Sequence, residues 1–368
     1  MFWVGFDVGG TFVDLVAIDL RTTDLFATKV PSSPTDAAGS VERGLRALLE
    51  LAGARPGDVS RVVHGTTMAT NALIERKGAR VGMITTAGFR DVVHIGRMLR
   101  DELFDVMFES TPPLAERDVR LEVNERVSPE GVVRRALDTA EAEKVVGELM
   151  SRKVDAVAVC LLHSYANPSH EITIGEAIAR AHPGLPVSLS HRLSMEYSEY
   201  ERWTTTVVNA YLMPRVTTYL RDLARRLATL GIPADIEIVQ SNGGIIPLDV
   251  AARFPVRLLA SGPAGGVAGA ARFARSAGLD SIITFDMGGT STDVCVVREG
   301  RPQLSTERKI DGYPIRAVMS DVHSIGAGGG SIATLDASGT LRVGPESAGA
   351  SPGPVAYSAG GSEPTVTD

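Results

Sequence analysis

Residues Phe6–Asp14 read FDVGGTFVD, and residues Phe285–Asp293 read FDMGGTSTD. Both fit the pattern Phe-Asp-x-Gly-Gly-Thr-x-x-Asp, and their first aspartates, Asp7 and Asp286, are 286 − 7 = 279 residues apart. Each copy closes an apolar strand, so each reads as a strand running into a tight turn. Glycine lets backbone N–H groups come close to a ligand and permits φ > 0. Successive N–H groups in such a turn form an anion-binding concavity. Gly9, Gly10 and Thr11 form one candidate phosphate loop, and Gly288, Gly289, Thr290 and Ser291 form the other. A carboxylate beside phosphate would repel it, so Asp7 and Asp286 are expected to hold Mg²⁺ or another divalent metal, mostly through water. Asp14 and Asp293 close the two copies and join them as candidate catalytic carboxylates. A duplicated hairpin implies two lobes that clamp a triphosphate from both sides. Ordinary hairpin turns explain one copy, but not two with the same internal spacing.

Other phosphate motifs are missing. No lysine follows a glycine, so there is no Walker A sequence. GAGGGS, residues 326–331, lacks the last glycine of the dinucleotide fingerprint. Its N–H groups, at Gly328, Gly329 and Gly330, are nevertheless expected to line the cleft. Just before it, Asp321 and His323 sit two apart on an expected strand and share a face, as a metal pair or a structural one.

The chain has 368 residues, 44% hydrophobic and 22% charged, which suits about two globular domains. A net charge of −7 argues against nucleic acid or an anionic membrane as the main partner. Cys160 and Cys295 lie in apolar runs and read as buried free thiols. The opening MFWVGFDVGG has no basic region or cleavage site, so a cytoplasmic protein is expected.

Alternating β-branched runs predict three strands within residues 2–31, and a helix over 36–52 with Thr35 as its N-cap. Strands and helices then alternate to about residue 190. This order predicts an α/β fold with a mixed sheet flanked by helices. Residues 100–135 are more charged and less periodic, and read as an insertion or lid. Residues 196–230 read as a helical stretch interrupted near Pro214. The glycine-rich SGPAGG, 261–266, opens a small-residue helix before the second hairpin.

HGTTMATNAL places His64 at a strand end, with Thr66 and Thr67 at a helix N-terminus and Asn71 one turn on. Helix N-termini favour anions, so phosphate or substrate contact is one reading. The other is that Thr66 caps the helix and His64 is a core polar group. Arg90, Arg97 and Arg100 read as a solvated face, and the remaining histidines lack ligand spacing.

The two Asp-x-Gly-Gly-Thr loops with SGPAGG between them resemble the actin, sugar kinase and heat-shock ATPase superfamily, whose lobes are ribonuclease H-like. Within it, the chain is similar to the hydantoinase A / 5-oxoprolinase family nearly end to end. The resemblance rests on residues 64–97, LLHSYANPSHE (161–171), SEYERWTTTVVNAYL (198–212), FDMGGTSTDV (285–294), DVHSIGAGGGSIA (321–333) and VGPESAGASPGP (343–354). Val13 stands where the family usually has threonine. Family members also continue past EPTVTD, so the expected layout is a first lobe over 1–276 and the start of a second over 277–368. Residues 1–190 would form the family's N-terminal region, and its hydantoinase A region would begin near 197. The resemblance implies ATP and Mg²⁺ as cofactors and a cyclic amide or ketone as substrate. It also implies a hydantoinase B-type partner subunit and homo-oligomers. ATP would phosphorylate a ring carbonyl before hydrolysis, or activate a ketone for carboxylation. A chaperone-like ATPase and a small-molecule kinase are the competing readings of this fold.

Overall fold

The computed structural model describes residues 1–9, 12–33, 35–99, 104–349, 352–358 and 360–368. Gly10, Thr11 and Arg100 lie outside the described residues. Strands β1 (Phe2–Val8), β2 (Phe12–Asp19) and β3 (Leu25–Pro31) form an antiparallel meander. Helix α1 (Ala37–Leu51) follows and returns the chain to β4 (Val59–Thr66), which lies parallel to β1. The N-cap of α1 is Asp36, not Thr35. The Asp36 carboxylate accepts from the Gly39 N–H at 3.0 Å, the capping bond of the helix.

Helix α2 (Met68–Ile74) leads out of this sheet into a second one. Strands β5 (Val81–Thr86) and β6 (Arg120–Val123), helix α3 (Thr139–Ser151), strand β7 (Ala156–Cys160), helix α4 (Ser169–Ala181) and strand β8 (Val187–Leu189) build it. Its order is β8-β7-β5-β6, all parallel. The alternating segment is therefore a separate parallel layer, not a continuation of the first sheet. Its strands read as near-continuous apolar runs because both faces are covered: all of β5 and β7 is buried. The expected insertion over 100–135 is only partly one, since residues 120–123 form an edge strand of this sheet.

Helix α5 (Glu199–Leu230) spans both layers and is unbroken at Pro214. Proline removes one backbone donor, yet buried side chains on both sides of it, from Trp203 to Met213 and from Val216 to Leu227, hold the helix in place. Strands β9 (Ile236–Val239) and β10 (Ile245–Pro247) then complete the first sheet, with order β10-β9-β4-β1-β2-β3. Three antiparallel strands continued by parallel ones give the ribonuclease H-like lobe. Helix α6 (Ser261–Ser276) crosses to the second hairpin, β11 (Ile282–Met287) and β12 (Thr292–Arg298), which pairs on its far side with β13 (Val322–Ile325).

Side-chain parity sets the core. Phe2, Val4, Phe6 and Val8 alternate into the main core with Val41, Leu45 and Leu48 of α1 and with α5. A second core fills the parallel layer, and a small third one joins Val267 and Ala271 to Cys295, Val297 and Val322. Tyr313, Ile315 and Met319 belong to the main core of the first lobe, so the chain between β12 and β13 reaches back across it. On β11, Ile283 and Phe285 are 70% and 67% exposed, so one face of that strand is uncovered among the described residues.

Candidate functional site

The two hairpins have the same hydrogen-bonded geometry. Asp7 pairs across the strands with Asp14, and Asp286 with Asp293. At the turn, the Gly9 N–H donates to the Phe12 carbonyl at 3.0 Å, and the Gly288 N–H donates to the Ser291 carbonyl at 2.9 Å. These are equivalent positions of the repeat. None of Gly9, Gly288 and Gly289 has positive φ, so the glycines serve close approach rather than left-handed backbone.

Helix α6 stands between the hairpins. Ala260, left-handed at φ 57°, turns the chain into it, and its N–H donates to Thr70 Oγ1 at 2.9 Å. The hydroxyl of Ser261 donates to the Thr66 carbonyl at 2.8 Å, which pins the helix start to the end of β4. A Cβ added at Gly262 would lie 3.9 Å from Asp7 Oδ1, and one at Gly266 would lie 3.9 Å from Asp286 Oδ2. Four residues are about one turn, roughly 6 Å of helix. The two carboxylates therefore face one side of the same helix, near its N-terminal turn.

Burial raises the Asp7 pKa, the Asp14 charge raises it further, and Asp286 adds to the effect against the Val8 N–H. Oδ1 of Asp7 is buried and accepts no hydrogen bond. A buried carboxylate oxygen without a donor is costly unless a cation supplies charge. The donor set fits a hydrated divalent cation such as Mg²⁺, which needs only one or two protein carboxylates. Among the described residues, no group of three or more His, Cys, Asp or Glu could hold a metal by itself. Asp14 is exposed and pairs with Lys29 at 2.9 Å, and Asp293 accepts from the Ser324 hydroxyl.

The other expected residues divide. Gly65 is in register with Asp7, so its neighbour His64 is in register with Phe6 and takes the core face. The His64 ring stacks on Phe6 at 4.6 Å, and its Nε2 accepts from the Tyr219 hydroxyl at 2.9 Å. Burial lowers its pKa to about 3, so it is neutral. His64 thus lies under the site as a core polar group and does not face a ligand. Thr66 is also buried, and its hydroxyl accepts from the Met68 N–H at 3.1 Å, just before the N-cap of α2, Thr67. Thr67 stays closer: its hydroxyl donates to the Val8 carbonyl at 3.1 Å and its methyl lies beside Gly262, while Asn71 donates to it at 3.4 Å.

Gly328, Gly329 and Gly330 brace the second hairpin. The N–H groups of Gly329 and Gly330 donate to the Gly288 and Gly289 carbonyls at 2.8 and 2.7 Å, and that of Gly328 donates to Ser331 Oγ at 2.8 Å. These donors are already satisfied, so they brace the loop and are not free to bind a ligand themselves. Asp321 and His323 approach to 3.8 Å, with the imidazole exposed. Sequence reading missed Gly65, a glycine inside a strand, where a Cβ would come within 2.8 Å of Asp7 Oδ1.

Residues 3–182 match the hydantoinase/oxoprolinase N-terminal region, and residues 202–368 match hydantoinase/oxoprolinase. The chain belongs to the hydantoinase/oxoprolinase family. The caprolactamase subunit alpha of Pseudomonas jessenii is 37% identical over 99% of this chain and 53% of its own length. The acetophenone carboxylase gamma subunit of Aromatoleum aromaticum is 36% identical over 99% of this chain and 52% of its own. The crystal structure of the ATP-dependent caprolactamase from Pseudomonas jessenii superposes with a TM-score of 0.88 at 36% identity, over 99% of this chain and 54% of that one. The chain thus spans about half the length of these relatives, and it shares its mixed α/β fold with the caprolactamase structure. No helix among the described residues is long and apolar enough to cross a membrane.

Proposed function

We propose that this chain carries the phosphorylating part of an ATP-dependent cyclic amidase acting on a hydantoin- or 5-oxoproline-type ring. The observation that supports it most is the pair of equivalent hairpins whose carboxylates, Asp7 and Asp286, face the start of one helix. The described loop glycines Gly9, Gly288 and Gly289 leave room for phosphate, with Thr290 and Ser291 alongside as hydroxyl donors. The open N-terminal turn of α6 adds backbone donors and favours negative charge. Mg²⁺ held by Asp7 and Asp286 through water would neutralise the phosphate oxygens.

The chemistry follows from amide resonance, which makes a ring carbonyl a poor electrophile. The carbonyl oxygen attacks the γ-phosphorus of ATP, the bond to the β-phosphate oxygen breaks, and ADP leaves. The O-phosphorylated ring then takes up water at carbon, loses phosphate and opens to a carboxylate and a freed nitrogen, an amine from 5-oxoproline or a ureido group from hydantoin. Positioning and charge neutralisation carry such transfers. Thr67, held against Val8 beside Asp7, and the loop N–H groups do the positioning here.

A cytoplasmic setting, a hydantoinase B-type partner that completes hydrolysis, and a homo-oligomer belong to the same reading. The likeness to an acetophenone carboxylase subunit favours a second reading, ATP-driven ketone carboxylation. The test is ADP release by the whole protein and its partner with MgATP and, in turn, 5-oxoproline, hydantoin, ε-caprolactam, and acetone or acetophenone with bicarbonate. Stimulation by a cyclic amide supports the first reading. Stimulation only by ketone with bicarbonate supports the second, and stimulation only by a protein client means a chaperone-type ATPase.

A further inference from the structure

We infer that the cavity beneath the loop after β9 is the acceptor site for the cyclic amide, an assignment that rests on the function proposed above. The parallel strands β1, β4 and β9 end together: Phe6 is in register with His64, and His64 with Ile238. The loop Gln240–Gly244 therefore leaves the sheet at the same end as the first phosphate loop. Two strand spacings, about 10 Å, separate them. Ligands of open α/β sheets bind outside the carboxyl ends of parallel strands. The loop also packs on α6, because a Cβ at Gly243 would meet the Ala264 carbonyl at 3.3 Å. It is thus held against the helix that faces Asp7 and Asp286.

The cavity has a volume of about 410 Å³, and Gln240, Asn242, Arg257, Arg316 and Glu196 help line it. Two of its polar groups have no hydrogen-bond or ion-pair partner among the described residues, whereas Asn242 Oδ1 accepts from the Gly244 N–H at 2.9 Å. Among the described residues, the Gln240 carboxamide makes no hydrogen bond, and Arg257 forms no ion pair but stacks over Phe254 at 4.9 Å. Arg316, in contrast, is paired with Glu196 and Glu307. The two carboxamides lie together over Gly244, where a Cβ would come within 3.1 Å of Asn242 Oδ1 and 3.2 Å of Gln240 Nε2.

This set matches one substrate chemistry. A small ring forces its amide cis, so N–H and C=O share one edge. A primary carboxamide offers a donor and an acceptor in one plane and can satisfy both. A ketone has no N–H to give. The unpaired guanidinium of Arg257 suits a further carboxylate or carbonyl on the ring, as in 5-oxoproline or hydantoin, and ε-caprolactam lacks one.

The experiment measures KM for each ring and for ATP in the whole protein with its partner, wild type against Gln240→Leu and Arg257→Met. Gln240→Glu serves as a second variant at that position, and thermal unfolding of each checks folding. Gln240→Leu is expected to raise KM for every accepted ring at least tenfold, with KM for ATP unchanged. Arg257→Met is expected to raise it at least tenfold for 5-oxoproline and less than threefold for ε-caprolactam. Ring-stimulated ADP release with unaltered KM in both variants would overturn this assignment and leave the proposed function standing. If no ring stimulates the wild type, both fall together.

Discussion

Asp7 and Asp286 lie against the same face of α6, opposite Gly262 and Gly266, one turn apart. Residues 279 positions apart (286 − 7) in sequence thus meet at one site. Each occupies the same place in its own hairpin, paired across the strands with Asp14 or Asp293.

Asp7→Asn and Asp286→Asn should each lower ATP turnover at least 100-fold, about 2.7 kcal/mol of transition-state stabilisation. Thermal unfolding should change little. Asp7→Asn should even be neutral or mildly stabilising without ligand, because it removes a buried charge whose Oδ1 has no partner. ADP release and melting temperature check both statements. Turnover within threefold of wild type in either variant rejects the two-hairpin clamp.

Three glycine substitutions separate space for phosphate from space for protein. A Cβ at Gly289 would meet nothing within 4 Å, so Gly289→Val should fold normally and weaken ATP binding at least tenfold by filling the phosphate space. At Gly65 the Cβ would press on Asp7 Oδ1 at 2.8 Å, and at Gly328 on the Gly288 carbonyl at 2.7 Å. Gly65→Ala and Gly328→Ala should therefore weaken binding by displacing one hairpin each, and Gly328→Ala should also lower stability because backbone must move. Calorimetric titration with MgATP, beside thermal melts, gives both readings.

His64 makes folding depend on pH. Its pKa is about 3 when folded, against about 6.5 for an ordinary histidine, because burial disfavours the charged ring. Between those values the unfolded chain binds the extra proton. Stability from the neutral ring is therefore full above about pH 6.5 and falls as pH drops toward 3, by up to about 1.4 kcal/mol per pH unit. His64→Gln keeps an acceptor for Tyr219 and cannot titrate. Urea unfolding from pH 7.5 to 4.5 should show a shallower acid loss in the variant, and equal slopes would contradict the buried neutral ring.

Tyr313 tests where the first lobe ends. It is buried in the main core, its hydroxyl donates to the Pro112 carbonyl at 2.6 Å, and Arg76 stacks on its ring while pairing with Asp311 at 2.7 Å. Tyr313→Ala should cost about 3 kcal/mol and shift the whole unfolding transition. A loss under 1 kcal/mol, or a separate early transition, would mean that this segment is only laid against the lobe.

The sequence alone determined the repeat, the strand–turn form of both hairpins, the small-residue helix between them and the family. Those features are local: a glycine pair after an apolar strand breaks the strand pattern and marks a turn, and a nine-residue pattern repeated at fixed internal spacing carries its own register. It could not determine which side of each strand faces the ligand. His64 and Gly65 are adjacent, yet only pairing with β1 sends the imidazole to the core beside Phe6 and leaves the glycine beside Asp7. A shift of one residue would exchange them, because side chains alternate with period two. Tertiary structure also decided the fate of Gly329 and Gly330, whose N–H groups pair with a loop 41 positions earlier (329 − 288 = 41). The split into two sheets has the same cause, since a run of alternating strands and helices is compatible with one parallel layer or two. Which strands become neighbours depends on contacts between residues far apart in the chain.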